Sequence, residues 1–120
     1  MEFYEWLNSL CGRLQHLLQV QFRKAYHYDL SLASQAVESS QAMLSARQID
    51  HFRDIAPNLA EVVSGAFVNC NDEGALRDIV MMWFYSTQGH REILSHHNVI
   101  GIGFSYDPIE DILYATARLR

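Results

Sequence analysis

Positively charged residues are scarce in this sequence, and they are scattered singly along the chain. Nine lysines and arginines stand against fourteen aspartates and glutamates, which gives a formal net charge of -5. A protein that binds the phosphate backbone of a nucleic acid needs a contiguous basic surface. Nucleic acid is therefore not an expected partner.

Long apolar runs are also absent from the sequence. No segment approaches the roughly twenty consecutive apolar residues that cross a bilayer, so we expect no membrane span. Residues 1–20 do not resemble a secretory signal either. Glu2 and Glu5 stand where basic residues are typical, and polar residues interrupt each apolar run, so the sequence predicts no export signal.

Proline, glycine and cysteine are few, with two, six and two residues among 120. The hydrophobic fraction of 49% and the charged fraction of 19% favour a globular chain over a disordered one. The length predicts a single domain over residues 1–120. Cys11 and Cys70 could form a disulfide or stay as two thiols, and we favour free, partly buried thiols because nothing indicates an oxidising compartment.

Apolar residues at three- and four-residue spacing predict three amphipathic helices. The first covers residues 2–23, and the second covers residues 30–46 with Asp29 as its N-cap. The third begins after a cap at Asn71 or Asp72 and ends at the polar segment 86–89.

The remaining apolar segments predict strands. One lies near residues 59–64, after a polar loop over 47–58. Two more, at 99–105 and 112–119, are separated by turn residues and should form an antiparallel hairpin. This order of elements predicts an α+β fold, an α-β-α sandwich in which helices flank a small antiparallel sheet of about three strands.

Gly101 and Gly103 alternate within the predicted hairpin, so they lie on one face of the sheet. Two residues without side chains on that face leave room for a helix or an aromatic ring to approach. Trp83, Tyr85 and Phe104 are interpreted as mainly core, with Tyr85 also a candidate for a cleft wall.

Spaced residues over most of the chain resemble the CAP superfamily, which comprises the cysteine-rich secretory, antigen-five and pathogenesis-related-one proteins, and especially its short bacterial SCP-like members. In the C-terminal half the matching residues are Trp83, Ser86, Gly89, His90, Arg91, Ile93, Leu94, Ile100, Gly101, Ile102, Gly103, Tyr114 and Thr116. Upstream they are Tyr28, Asp29, Leu32, Ala36, Ser40, Met43, His51, Asn58, Leu59 and Ala60.

The resemblance implies an α-β-α sandwich with a cleft in which two histidines meet acidic residues. It also implies secretion, in contrast to the missing export signal. The predicted cleft residues are His51, His90, Asn58, Ser86, Arg91 and Tyr85. Ser86 is alternatively a cap for the end of the third helix or the following turn, since a hydroxyl satisfies free backbone groups there. Arg91 either holds an anionic ligand or forms a salt bridge with Asp78, Asp107 or Glu110.

Two imidazoles with one or two carboxylates can bind Zn²⁺. In this sequence, however, the glutamate typical of the family is replaced by Pro57, which cannot coordinate a metal. The acids that could substitute for it are Asp50, Asp54, Glu61 and Glu92. With two secure ligands, His51 and His90, the sequence predicts weak zinc binding at most and no certain cofactor.

These observations favour a CAP-like binding or interaction module without a predicted catalytic residue. Its candidate ligands are a small lipid, a sterol, a peptide or a cell-wall fragment. One alternative is a metal-dependent hydrolase that uses the same two histidines. Another is a structural domain that binds a protein partner and forms a homodimer, for which the first helix is the candidate surface.

Overall fold

The computed structural model describes residues 2–120 as a layered arrangement of four helices and one sheet. In chain order the elements are α1 (Phe3–Phe22), β1 (His27–Tyr28), α2 (Leu30–Ala46), β2 (Ala60–Phe67), α3 (Asp72–Phe84), α4 (His90–His96), β3 (Val99–Asp107) and β4 (Ile112–Leu119). The α+β class and the three long helices are confirmed.

The sheet has four strands in the order β1-β3-β4-β2. The predicted hairpin of β3 and β4 is antiparallel, and β2 pairs antiparallel with β4. The expectation of about three antiparallel strands is wrong in one respect, because β1 adds a fourth strand parallel to β3. β1 contains two residues, which is too short for alternation of apolar and polar residues to reveal it.

Helices cover both faces of the sheet. The backbone of α2 crosses one face so closely that a Cβ atom at Gly101 would collide with the backbone nitrogen of Ala33, and one at Gly103 with that of Val37. This confirms the prediction that the two glycines admit a close neighbour, and the neighbour is a helix.

The main hydrophobic core lies on the other face, where α1, α3 and Leu94 of α4 pack against the sheet. Trp83 and Phe104 are buried there, as predicted, and the Trp83 indole donates a hydrogen bond to the Val63 carbonyl over 3.0 Å. Tyr85 is not a core residue, because it is 71% exposed just after α3 ends.

The sequence did not predict α4, which has seven residues and no side-chain cap at its start. Helices this short are marginal by themselves and depend on packing. Here Gly89 adopts a left-handed conformation with φ of 97°, and the wholly buried Leu94 anchors the helix to the main core.

Both cysteines are free thiols. Cys11 is half-buried, and burial raises the pKa of its thiol to about 11. Cys70 is exposed, so the expectation that both thiols are partly buried holds only for Cys11. Within residues 2–120, no helix combines the length and the apolar character required to span a membrane.

Candidate functional site

A buried carboxylate fixes one of the two predicted cleft histidines. His51 lies in the loop between α2 and β2, and its Nδ1 atom is 2.8 Å from Oε1 of Glu61 in β2. The side chain of Glu61 is fully buried, whereas that of His51 is 42% exposed. Glu61 is therefore the candidate acid that the fold brings to the ring of His51.

Glu61 also accepts hydrogen bonds from two residues that the sequence did not single out. Arg118 Nε donates to its Oε2 atom over 2.7 Å, and Ser39 Oγ donates to the same atom over 2.9 Å. Glu61 and Arg118 are direct partners in the pairing of β2 with β4, so their side chains lie side by side on one face. A single arginine in the apolar strand 112–119 was the available sequence signal for this pair.

The guanidinium of Arg118 extends the network to the loop that carries His51. Its nitrogens donate to the Gln35 side chain over 2.9 Å and to the Asp54 carbonyl over 2.9 Å. Arg118 is only 4% exposed, so its charge is buried and matched by Glu61. These contacts hold the loop against α2 and the sheet.

The network determines which nitrogen of His51 can meet a ligand. Glu61 forms an ion pair with Arg118, and a carboxylate in an ion pair can only accept hydrogen bonds. The Nδ1 atom of His51 therefore carries the proton that it donates to Glu61. In the neutral ring the Nε2 atom is then the acceptor, free for a ligand.

His90 begins α4 directly after Gly89 and is half-buried. Its pKa is lowered from the ordinary value, first because burial disfavours the charged ring and second because of the charge of His51. This effect of His51 is the link between the two predicted histidines. The lowered pKa favours the neutral form of the His90 imidazole.

The remaining predicted cleft residues differ in their surroundings. Ser86 Oγ accepts a hydrogen bond from the Gln88 backbone N–H over 3.0 Å, which is the predicted turn cap. Asn58 is exposed in the loop that precedes β2, and Tyr85 is exposed after α3.

Arg91 belongs to a different part of the surface. Its guanidinium stacks over the Phe84 ring at 4.2 Å from the ring centre. Together with Phe22 and Ser95 it lines a depression at the end of α1. Of the residues that the structure describes, none of the three acids considered above forms an ion pair with Arg91.

The donor set at the histidines does not fit a zinc centre. Across positions 2–120, no group of three or more histidine, cysteine, aspartate or glutamate side chains is placed to hold a metal ion. Protein zinc sites use three or four protein ligands. The oxygens of Glu61 are already bound to His51, Ser39 and Arg118, which leaves two imidazoles.

A cavity lies away from this site. It has a volume of about 660 Å³ and is located between α1 and α2 at the β3 edge of the sheet. The His51–Glu61 pair lies at the β2 edge. The cavity and the His51–Glu61 pair are therefore two separate regions of the protein.

The comparisons with known proteins support the fold only. No model of a known protein family matches this chain, and no curated protein sequence matches it. The solved structure of an outer surface protein from Borrelia burgdorferi is similar over 100% of this chain and 96% of that chain, with a TM-score of 0.69 and 16% sequence identity. The resemblance to the CAP superfamily stays a prediction.

Proposed function

We propose that the protein is a CAP-like binding module whose cleft recognises a polar group of its ligand at His51 and His90. The observation that carries this proposal is the hydrogen bond between His51 and the buried Glu61, which Arg118 and Ser39 reinforce. A side chain that is already held in one orientation loses little conformational entropy when a ligand binds.

The chemistry of the two rings favours a ligand with hydroxyl, amide or carboxyl groups. Nε2 of His51 accepts a hydrogen bond in the neutral ring, and the lowered pKa of His90 favours the neutral form of that ring as well. Exposed polar residues of the neighbouring loop, including Asn58, add further hydrogen-bonding groups. Among the candidate ligands, a cell-wall fragment or a peptide suits these groups better than a sterol or a lipid.

A metal-dependent hydrolase is the second candidate. In its favour, a carboxylate that orients a histidine is a recurring feature beside catalytic metals. Against it, Glu61 is engaged by Arg118, so only two imidazoles are available as ligands. A structural domain that binds a protein partner would need neither histidine.

A titration followed by NMR of the histidine side chains tests the proposal, with muramyl dipeptide as the probe because it carries hydroxyl, amide and carboxyl groups. We expect the signals of His51 and His90 to shift together. His51→Ala should remove the shift of His90, and His90→Ala that of His51. His16→Ala is the matched control, because His16 is exposed on α1 and should leave the response unchanged.

The same titration with Zn²⁺ separates the two candidates. Joint shifts with micromolar Zn²⁺ but none with muramyl dipeptide would favour the metal-dependent alternative. If neither probe moves either ring, the two histidines are structural and the proposed cleft function is wrong.

A further inference from the structure

The outer edge of β3 lacks a strand partner along most of its length in the described part of the chain. β1 pairs only with Val99 and Ile100, after which the chain turns away into α2. β3 continues to Asp107. No strand pairs with the outer edge of β3 after Ile100 in the described part of the chain.

Hydrogen bonds at the start of β3 show which residues present their polar groups to this edge. Val99 exchanges two hydrogen bonds with Arg120 at the end of β4, so Val99 faces the inner neighbour. The Ile100 carbonyl accepts from the Asp29 N–H over 2.9 Å, so Ile100 faces outward. Because orientation alternates along a strand, the even-numbered residues of β3 all face the outer edge.

Side chains take the place of a neighbouring strand at the next outward residue, Ile102. The Tyr28 hydroxyl donates to the Ile102 carbonyl over 3.2 Å and accepts from the Ile102 N–H over 3.3 Å. The Cys11 thiol also donates to that carbonyl over 3.4 Å. Beyond them, the outward N–H and C=O groups of Phe104 and Tyr106 have no strand partner among residues 2–120.

The cavity of about 660 Å³ borders this edge, and we call it the edge groove. Its size lies within the roughly 300 to 1,000 Å³ that ligand pockets occupy. Side chains that line it include Leu7, Val37, Leu44 and Phe104, and none of its lining residues is charged. Its lining also includes three large apolar residues that solvent reaches, Phe3 at 47%, Tyr4 at 72% and Leu30 at 80% exposure.

We propose that the edge groove binds an extended, uncharged peptide segment of a partner protein, which adds to the sheet as a strand along β3. The segment continues, past Ile100, the pairing that β1 makes with the same edge. Outward backbone groups recur about every 7 Å along a strand, a spacing that another peptide backbone matches. An acyl chain would leave these groups unpaired in an apolar groove, which is unfavourable.

Backbone NMR with hydrogen exchange tests this proposal, using acetyl-Val-Thr-Val-Thr-Val-amide as the probe. We expect the amide signals of Phe104 and Tyr106 to shift, and their exchange to slow by about tenfold or more as they become hydrogen-bonded. Gly103 and Ser105 are internal controls, because their amides face β4 and are already paired.

Two substitutions at one position give a matched pair. Gly12 of α1 lines the edge groove, and a Cβ atom added there meets nothing within 4 Å. Gly12→Phe fills the groove, whereas Gly12→Ala leaves it open, and both residues favour a helix more than glycine does. We expect Gly12→Phe to weaken probe binding by about tenfold or more, and Gly12→Ala to leave it unchanged.

Three results would overturn the proposal. The first is that neither Phe104 nor Tyr106 responds to the probe. The second is equal binding of a probe in which the central valine and the threonine after it are both replaced by proline, because one of these two residues must donate its N–H to β3 in either register. The third is binding of decanoate without binding of the peptide, which makes the groove an apolar-ligand pocket. None of these results bears on His51, which lies at the opposite edge of the sheet.

Discussion

Glu61 accepts hydrogen bonds from His51, Ser39 and Arg118, which belong to a loop, a helix and a strand. The position of the His51 ring therefore depends on how the loop, the helix and the strand pack together. The sequence indicated Glu61 as one of several acids that could approach a histidine. It did not indicate Arg118, because the pairing of β2 with β4 is what places the two charges together.

The pKa of His90 provides a prediction at this scale. Burial and the charge of His51 both lower it, with burial the larger cause. His51→Gln removes the second cause, so we expect the pKa of His90 to rise but to stay below its ordinary value of 6.5. Proton NMR titration of the imidazole signals measures the change, and His16→Gln should have no effect.

The sign of the linked stability change follows from the same shift. Since the pKa of His90 is lower in the folded state than its ordinary 6.5, the unfolded chain takes up the proton first as the pH falls. The free energy of unfolding should therefore decrease as the pH falls from above 6.5 through the folded pKa. His90→Gln should reduce this decrease, and an unchanged slope would contradict the assignment to His90.

At the scale of elements, the packing of α2 on the sheet depends on two positions that lack a side chain. Gly101 and Gly103 face the backbone of α2 directly. The same packing is held by buried hydroxyls, because Ser40 donates to the Gly103 carbonyl over 2.9 Å. The sequence predicted the close approach, and the structure identifies the neighbouring element.

Gly103→Ala tests this packing. The added methyl group would meet the backbone of α2 rather than a flexible side chain, so the helix must shift. We expect a loss of roughly 2 to 3 kcal/mol in the free energy of unfolding, measured with urea. Gly12→Ala, at an open helical position, should instead be neutral or stabilising by up to about 1 kcal/mol. Equal effects of the two substitutions would contradict this account.

At the scale of the whole molecule, the two edges of the sheet have different properties. The β2 edge carries a charged, hydrogen-bonded network beside His51. The β3 edge carries an uncharged groove, and its backbone groups after Ile100 lack a strand partner among residues 2–120. The network at the β2 edge also connects loop 47–59 to both the sheet and α2, so its loss should affect the stability of the whole protein.

A double-mutant cycle measures this connection. Glu61→Gln leaves the buried Arg118 charge uncompensated, and Arg118→Met does the same to Glu61, so each should cost about 3 kcal/mol or more. The double variant should cost less than the sum by about 1 to 3 kcal/mol, because it leaves no unmatched buried charge. Additive losses in urea unfolding would show that the two residues contribute independently.

The sequence predicted the elements better than the site. The repeated spacing of apolar residues predicted α1, α2 and α3, because each of these helices buries one face over many residues. β1 and α4 are short and depend on neighbours distant in sequence, so no local pattern revealed them. His51 and His90 were predicted as site residues from the resemblance to the CAP superfamily. That resemblance did not indicate Ser39 or Arg118.

By itself, the sequence determined the α+β class, the three long helices, the β3–β4 hairpin and the face on which Gly101 and Gly103 lie. These depend on local periodicity and turn residues, which act over a few neighbouring positions. Only the tertiary structure decided that Glu61 meets His51, that Arg91 stacks on Phe84, and that β1 pairs with β3 no further than Ile100. The residues in these contacts are separated by 7 positions in the case of Phe84 and Arg91 and by more than 70 in the pairing of β1 with β3. The geometry of the contacts depends on strand register and helix packing.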